Sequence, residues 1–157
     1  PSEKKLRKLG FNNIEVLKNG TQKNIGDLTI KAHDAGFPYN YLWTFSFEII
    51  QGEKVLYFES HVDKPSRIKQ NDLKADCAIL TTEEVKILGL LPLSNSSETT
   101  LEILKELECK NIMIQGSDPA ETKGLISYFL KIGKENLGIF KSNNINVYKD
   151  PGSEVII

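Results

Sequence analysis

Through the first half of the chain, apolar and polar residues alternate. Further on they give way to short apolar runs and helical stripes. Leu28, Ile30 and Ala32 alternate with Thr29 and Lys31, which predicts a half-buried strand. Trp43, Phe45, Phe47 and Ile49 share one face of a second strand, Trp43–Ile50, and this aromatic face is the expected core face. Gln51-Gly52-Glu53 is a hairpin turn leading to an antiparallel partner, Val55–Phe58. Cys77–Leu80 is continuously apolar and reads as an interior strand, and Asn111–Ile114 follows later as another. Between them, Asn95 with Glu98 forms a capping box. It opens a helix to Leu107 with Leu101, Leu104 and Leu107 on one stripe. Asp118, Pro119 and Glu121 give a second start signal, for a helix running to Ile132 that buries Leu125, Tyr128, Phe129 and Ile132. Shorter expectations are a basic helix over Ser2–Leu9, a strand over Ile14–Leu17, and part-helical structure after Pro65. A loop is expected over Thr81–Ser97, and a terminal hairpin pairing Ile145–Tyr148 with Glu154–Ile157.

Antiparallel strands followed by strand–helix–strand–helix predict an α/β fold, with one mixed β-sheet carrying its helices on one face. The opposite face needs a cover as well, and a second sheet would supply one. At 157 residues the chain fits a single domain, 1–157. Its 20 basic and 21 acidic residues give no field for nucleic acid or an anionic membrane. No apolar stretch reaches the roughly 18 residues of a membrane span. Cys77 and Cys109 have no CxxC partner and read as free thiols in a reducing, intracellular setting. The opening Pro1 and the apolar close, Val155–Ile157, look cut from something longer.

Candidate chemistry concentrates in Val55–Asp63. A buried strand stops in a loop that holds Glu59, His61 and Asp63, and His61 is one of only two histidines. Imidazole and carboxylate at the mouth of a strand are what a metal or acid–base site needs. His61 is the first candidate for that role, against the plain reading of an exposed loop histidine. Asp63 is either an orienting group or a turn aspartate. His33 is a possible ligand or a structural residue. Asp118 at the mouth of Asn111–Ile114 is both a candidate catalytic group and a helix N-cap, and these roles are compatible. There is no GxSxG elbow and no GxxxxGK[ST] loop.

Four stretches carry a family resemblance: Lys8–Ile14, Gly26–Ala32, Glu53–His61, and Thr99–Ile114 continuing through Gln115-Gly116-Ser117-Asp118 and Lys123-Gly124-Leu125. In order and spacing they resemble the C-terminal half of a metallo-β-lactamase-fold protein, of an uncharacterised plant and cyanobacterial branch. The resemblance implies half of an αββα sandwich. It implies zinc or another divalent metal, with His61, Asp63 and His33 as metal ligands and Asp118 as the catalytic group. It implies part of a metal-dependent hydrolase whose small-molecule substrate is unknown. The family's His-x-His-x-Asp-His motif is absent here, and His61 stands where the family usually has an aspartate. Two expectations follow. The chain is a hydrolase only when an N-terminal half completes it, or it is a degenerate binding or regulatory domain that keeps the fold. Its sheet face then calls for self-association or for a chain that carries the missing half.

Overall fold

Two rows of side chains, one on each face of a seven-stranded sheet, organise the molecule. The structure is a computed structural model and describes residues 3–36, 44–59, 61–115, 125–150 and 152–156. After helix α1 (Glu3–Lys8), strands β1 (Gln22–Ile25), β2 (Leu28–Asp34), β3 (Phe45–Gln51) and β4 (Lys54–Phe58) form an antiparallel meander. Helix α2 (Pro65–Gln70), with proline in its first turn, leads to β5 (Cys77–Leu80), which pairs parallel to β4. Strands β6 (Val85–Ile87) and β7 (Leu91–Pro92) follow, then α3 (Ser97–Glu106) and β8 (Asn111–Ile114), parallel to β5. A 3-10 turn, Leu125–Phe129, runs into β9 (Leu130–Ile132), and α4 (Gly138–Ser142) leads to β10 (Asn146–Tyr148), parallel to β8. The main sheet has the order β1-β2-β3-β4-β5-β8-β10, and β7-β6-β9 make a second, small sheet.

One face of the main sheet carries the row Lys31–Glu48–Tyr57–Ala78–Ile112–Val147 in register across six strands. Ile68 of α2, Ile103 and Leu104 of α3 and Phe140 of α4 pack with Tyr57, Ala78, Leu80 and Ile112 into one core. Helices α2, α3 and α4 therefore lie on one side, the side predicted to carry the helix that opens near Asn95. The other face carries the row Ala32–Phe47–Phe58–Ile79–Met113, with the Phe47 and Phe58 ring centroids 6.4 Å apart.

The strand pattern holds, but its inside face is reversed. Phe45, Phe47 and Ile49 are half-buried, while Ser46 and Glu48 between them are buried. Alternation separates two faces without saying which one the helices cover. Trp43 lies outside the described residues. The helix expected to run to Ile132 is not one over its described part, where a 3-10 turn and a strand replace it. Tyr128, Phe129 and Ile132 are exposed there rather than buried. Strand β9 finds its partner in β6, a pairing that no local propensity announces. The loop expected at Thr81–Ser97 contains β6 and β7. Helix α3 is capped by the Ser96 side chain, which accepts from the Thr99 N–H at 3.3 Å. Asn95, the expected cap, turns inward instead. Ile14–Leu17 forms no strand, and β10 pairs with β8 rather than with the chain end.

Candidate functional site

Strands β4, β5 and β8 are parallel neighbours, so their carboxyl ends emerge side by side. Glu59, Thr81 and Gln115 are the residues that follow them directly. The ladder continues one step further, with the Glu59 N–H donating to Ile79 O at 3.0 Å and the Gln115 N–H to Leu80 O at 2.9 Å. In open α/β sheets, this edge is where functional groups gather. The loops holding His61 and the expected Asp118 thus leave from one edge, although Asp118 itself lies outside the described residues.

Among the described residues from Glu59 to Asp63, the loop after β4 buries the two carboxylates and leaves the imidazole outside. Glu59, Val62 and Asp63 are buried and His61 is exposed. Asp63 holds the loop down. Its carboxylate accepts from Ser46 Oγ at 2.7 Å, from the Tyr57 hydroxyl, from its neighbour's N–H at 2.7 Å, and from Arg67 Nε and Nη2 at 2.9 and 3.2 Å. Burial works against the Arg67 charge, but the Asp63 hydrogen bonds outweigh it and hold the guanidinium pKa above its ordinary value. Burial, with Asp63 beside it, pushes the Tyr57 phenol well above its usual range. A buried carboxylate stripped of such a partner costs on the order of 3–5 kcal/mol, so this knot fixes the path of the loop.

Glu59 is fully buried. Its Oε1 accepts from Thr81 Oγ1 and Asn95 Nδ2, both at 3.1 Å, and Oε2 has no partner. Burial, then the charge of Asp63, raises its pKa to about 8 against the pull of those two hydrogen bonds. At neutral pH the side chain is a neutral acid. Its proton belongs on Oε2, because Oε1 already accepts two donors. His61 has a backbone φ of +144°, a region a β-carbon enters only under constraint, at a cost of about 1–3 kcal/mol. Its carbonyl accepts from Thr81 Oγ1 at 3.1 Å.

His61, Thr81, Ser94, Val85, Leu93 and Gln115 surround a cavity of about 330 Å³ at this edge, with Glu83 completing the lining. Leu91 of β7 packs on Ala35 and Val62 and so ties the small sheet to the same edge. His33 sits near the end of β2 with Nε2 2.8 Å from Glu48 Oε2. That bond, working against burial, holds the Glu48 carboxyl below its ordinary pKa.

A structural zinc site takes four protein ligands and a catalytic one three. Among the described residues, no group of three or more His, Cys, Asp and Glu is placed to share one ion. His33 is bound to Glu48 and Asp63 to its donors, which leaves His61. The described residues alone do not fit a metal centre. Reading the sequence for histidines and acids overlooked Thr81, Asn95 and Gln115 and gave Glu59 no role. The signal for three of these four was position, since Glu59, Thr81 and Gln115 each stand first after an apolar strand.

No family model matches the sequence, and no curated protein matches it. Solved structures do match. CmlA, a diiron β-hydroxylase from Streptomyces venezuelae, superposes with a TM-score of 0.63 at 13% identity over 92% of this chain and 34% of its own. YhfI from Bacillus subtilis, a metallo-β-lactamase fold protein, gives 0.62 at 12% identity over 94% of this chain and 57% of its own. This is a metallo-β-lactamase-like fold. An isothiocyanate hydrolase from Delia radicum gut bacteria gives 0.62 at 20% identity over 98% of this chain and 64% of its own. The chain thus spans about a third of CmlA and under two thirds of the other two.

Proposed function

We propose that this chain forms one wall of a metal-dependent hydrolase site of the metallo-β-lactamase superfamily, and that it is not catalytically competent alone. The observation that carries the reading is the convergence of three parallel strand ends on one cavity, with His61 as the exposed imidazole at its rim. His61 is the residue of this wall suited to ligate a divalent ion or to exchange a proton. Asp63 and His33 hold the surrounding scaffold. Asp118 keeps its proposed catalytic role at the mouth of β8. Further ligands would come from residues outside those described. The free, buried Cys77 and Cys109 support an intracellular setting. No helix among the described residues is long and apolar enough to cross a membrane.

The face of the main sheet opposite the helices supports a second element of the proposal, a partner layer. A compact monomer of this mass exposes about 7,900 Å², whereas this chain exposes 10377 Å². The excess, roughly 2,400 Å² on one chain, is well above the roughly 800 Å² that a standard interface takes from each partner and falls in the range of permanent assemblies. The half-buried row from Phe47 to Met113 is the apolar surface such a layer would cover.

Calorimetric titration with zinc, comparing the native chain with His61→Ala, tests the site. Weak binding that disappears in His61→Ala is expected. Tight binding indifferent to the substitution would overturn the assignment. No binding in either would favour the second reading, a binding domain without catalysis, which the structural use of Asp63 and His33 supports.

A further inference from the structure

The sheet face opposite the helices is partly overlaid by the chain itself. A further row on that face runs Lys23–Ile30–Ile49–Leu56–Cys77, in register from β1 to β5. Two irregular segments lie over its ends. At one end Ile14, Glu15 and Leu17 face Lys23, Ile25 and Ile30 across a cavity of about 580 Å³. Lys23 Nζ holds that segment through Glu15 Oε1 at 2.7 Å. At the other end Glu154, Val155 and Ile156 face Leu56, Cys77 and Met113 across a cavity of about 360 Å³.

The C-terminal segment is lightly held. Among the described residues, no hydrogen bond or ion pair ties residues 152–156 to the sheet. The Ser153 N–H donates to Asp150 O at 3.1 Å and only closes the local turn. Val155 is half-buried, and Ile156 is 96% exposed. The cavity beneath deprives these side chains of close contacts, and with them of dispersion attraction. Sheets packed face to face stand roughly 10 Å apart, a gap filled by their own side chains. A stretch of backbone lying over Leu56, Cys77 and Met113 takes that gap. The segment and a second sheet layer therefore exclude one another there, whereas the N-terminal segment overlies only the edge strands β1 and β2. We infer that residues 152–156 are a displaceable cover, seated while the face lacks a partner and expelled when a second layer docks. The inference rests on the partner layer proposed above and adds what regulates access to it. For the isolated chain, that layer is a second copy.

Two measurements compare the full chain with one ending at Asp150. Iodoacetamide labelling of Cys77 in dilute solution reads the cover directly, because Cys77 lines the cavity beneath it and is 1% exposed. Peptide masses separate it from Cys109, which lies in the helix-side core. Sedimentation reads association. Without the segment, Cys77 is expected to label severalfold faster, with Cys109 unchanged. Self-association should tighten by up to roughly tenfold, the factor by which a cover seated about nine-tenths of the time weakens apparent affinity. Val155→Asp in the full chain should reproduce both changes, and it decides alone should the shortened chain fold poorly. Weaker association after the deletion would place the segment inside the interface and overturn the inference. Association unchanged by the deletion would overturn it too, while leaving the partner layer standing. Association by neither chain, whatever the labelling, would remove the partner layer and the competition together.

Discussion

Replacing Glu59 with glutamine should make the protein more stable, and by an amount that depends on pH. Glutamine keeps an oxygen where Thr81 Oγ1 and Asn95 Nδ2 donate, and it places a neutral amide where the acid holds its proton. Below about pH 4.5, the group's ordinary pKa, glutamate is protonated in the folded and unfolded chain alike, and folding carries no ionisation penalty. Above it, the unfolded chain releases the proton, while the folded chain keeps it until about 8. A raised acid pKa thus contributes stability that is fully present at low pH and is lost as pH rises through that window. Each unit corresponds to about 1.4 kcal/mol, so the loss reaches about 3 kcal/mol at pH 7 and about 5 kcal/mol beyond pH 8. Urea unfolding of both proteins from pH 4 to 8 reads this directly. Near-equal stability is expected at pH 4, with Glu59→Gln ahead by about 3 kcal/mol at pH 7 and an unchanged dependence on urea. Parallel pH profiles, or a less stable variant at pH 7, would refute the neutral acid. They would mean instead that Glu59 is ionised in the fold and held there by a cation or donor beyond the described residues.

His61→Gly should raise the melting temperature, because glycine adopts a φ of +144° freely. After the added freedom of the unfolded chain, a net gain of about 1 kcal/mol is expected by thermal denaturation, and a loss would show that the backbone there is not strained. The isolated chain at micromolar concentration should sediment heavier than its 17.7 kDa monomer. Phe58→Lys should return it to a monomer, and a native chain that is monomeric from the outset would count against the partner layer.

What the sequence disclosed followed the range of the forces involved. Cys77–Leu80 and Asn111–Ile114 are strands to the residue, because each is a short apolar run closed by polar neighbours. The Gln51–Lys54 turn and the Pro65 helix start were equally local and equally readable. The core face of β3 was not, because Ser46 and Glu48 are drawn inward by partners on other elements, Asp63 and His33. The stretch ending at Ile132 has helical spacing, yet its strand pairs with Val85–Ile87 far away in sequence. At the site, His61 was legible as a rare residue at a strand mouth. Glu59 was read only as one more loop carboxylate, and its neutral state comes from complete burial and then the charge of Asp63, against the pull of Thr81 and Asn95; that burial is a product of the fold and not of its sequence neighbours.

The knot of Ser46, Tyr57, Asp63 and Arg67 separates the shape of the loop from its chemistry. It anchors the loop through residues that do not face the cavity, so position 61 is free to change without moving its mount. The identity of the group at the rim then becomes an exchangeable part. A chain of this kind can exchange the residue at position 61 and still fold. The same independence makes positions 61 and 115 a natural pair for installing a new binding specificity on an unaltered frame.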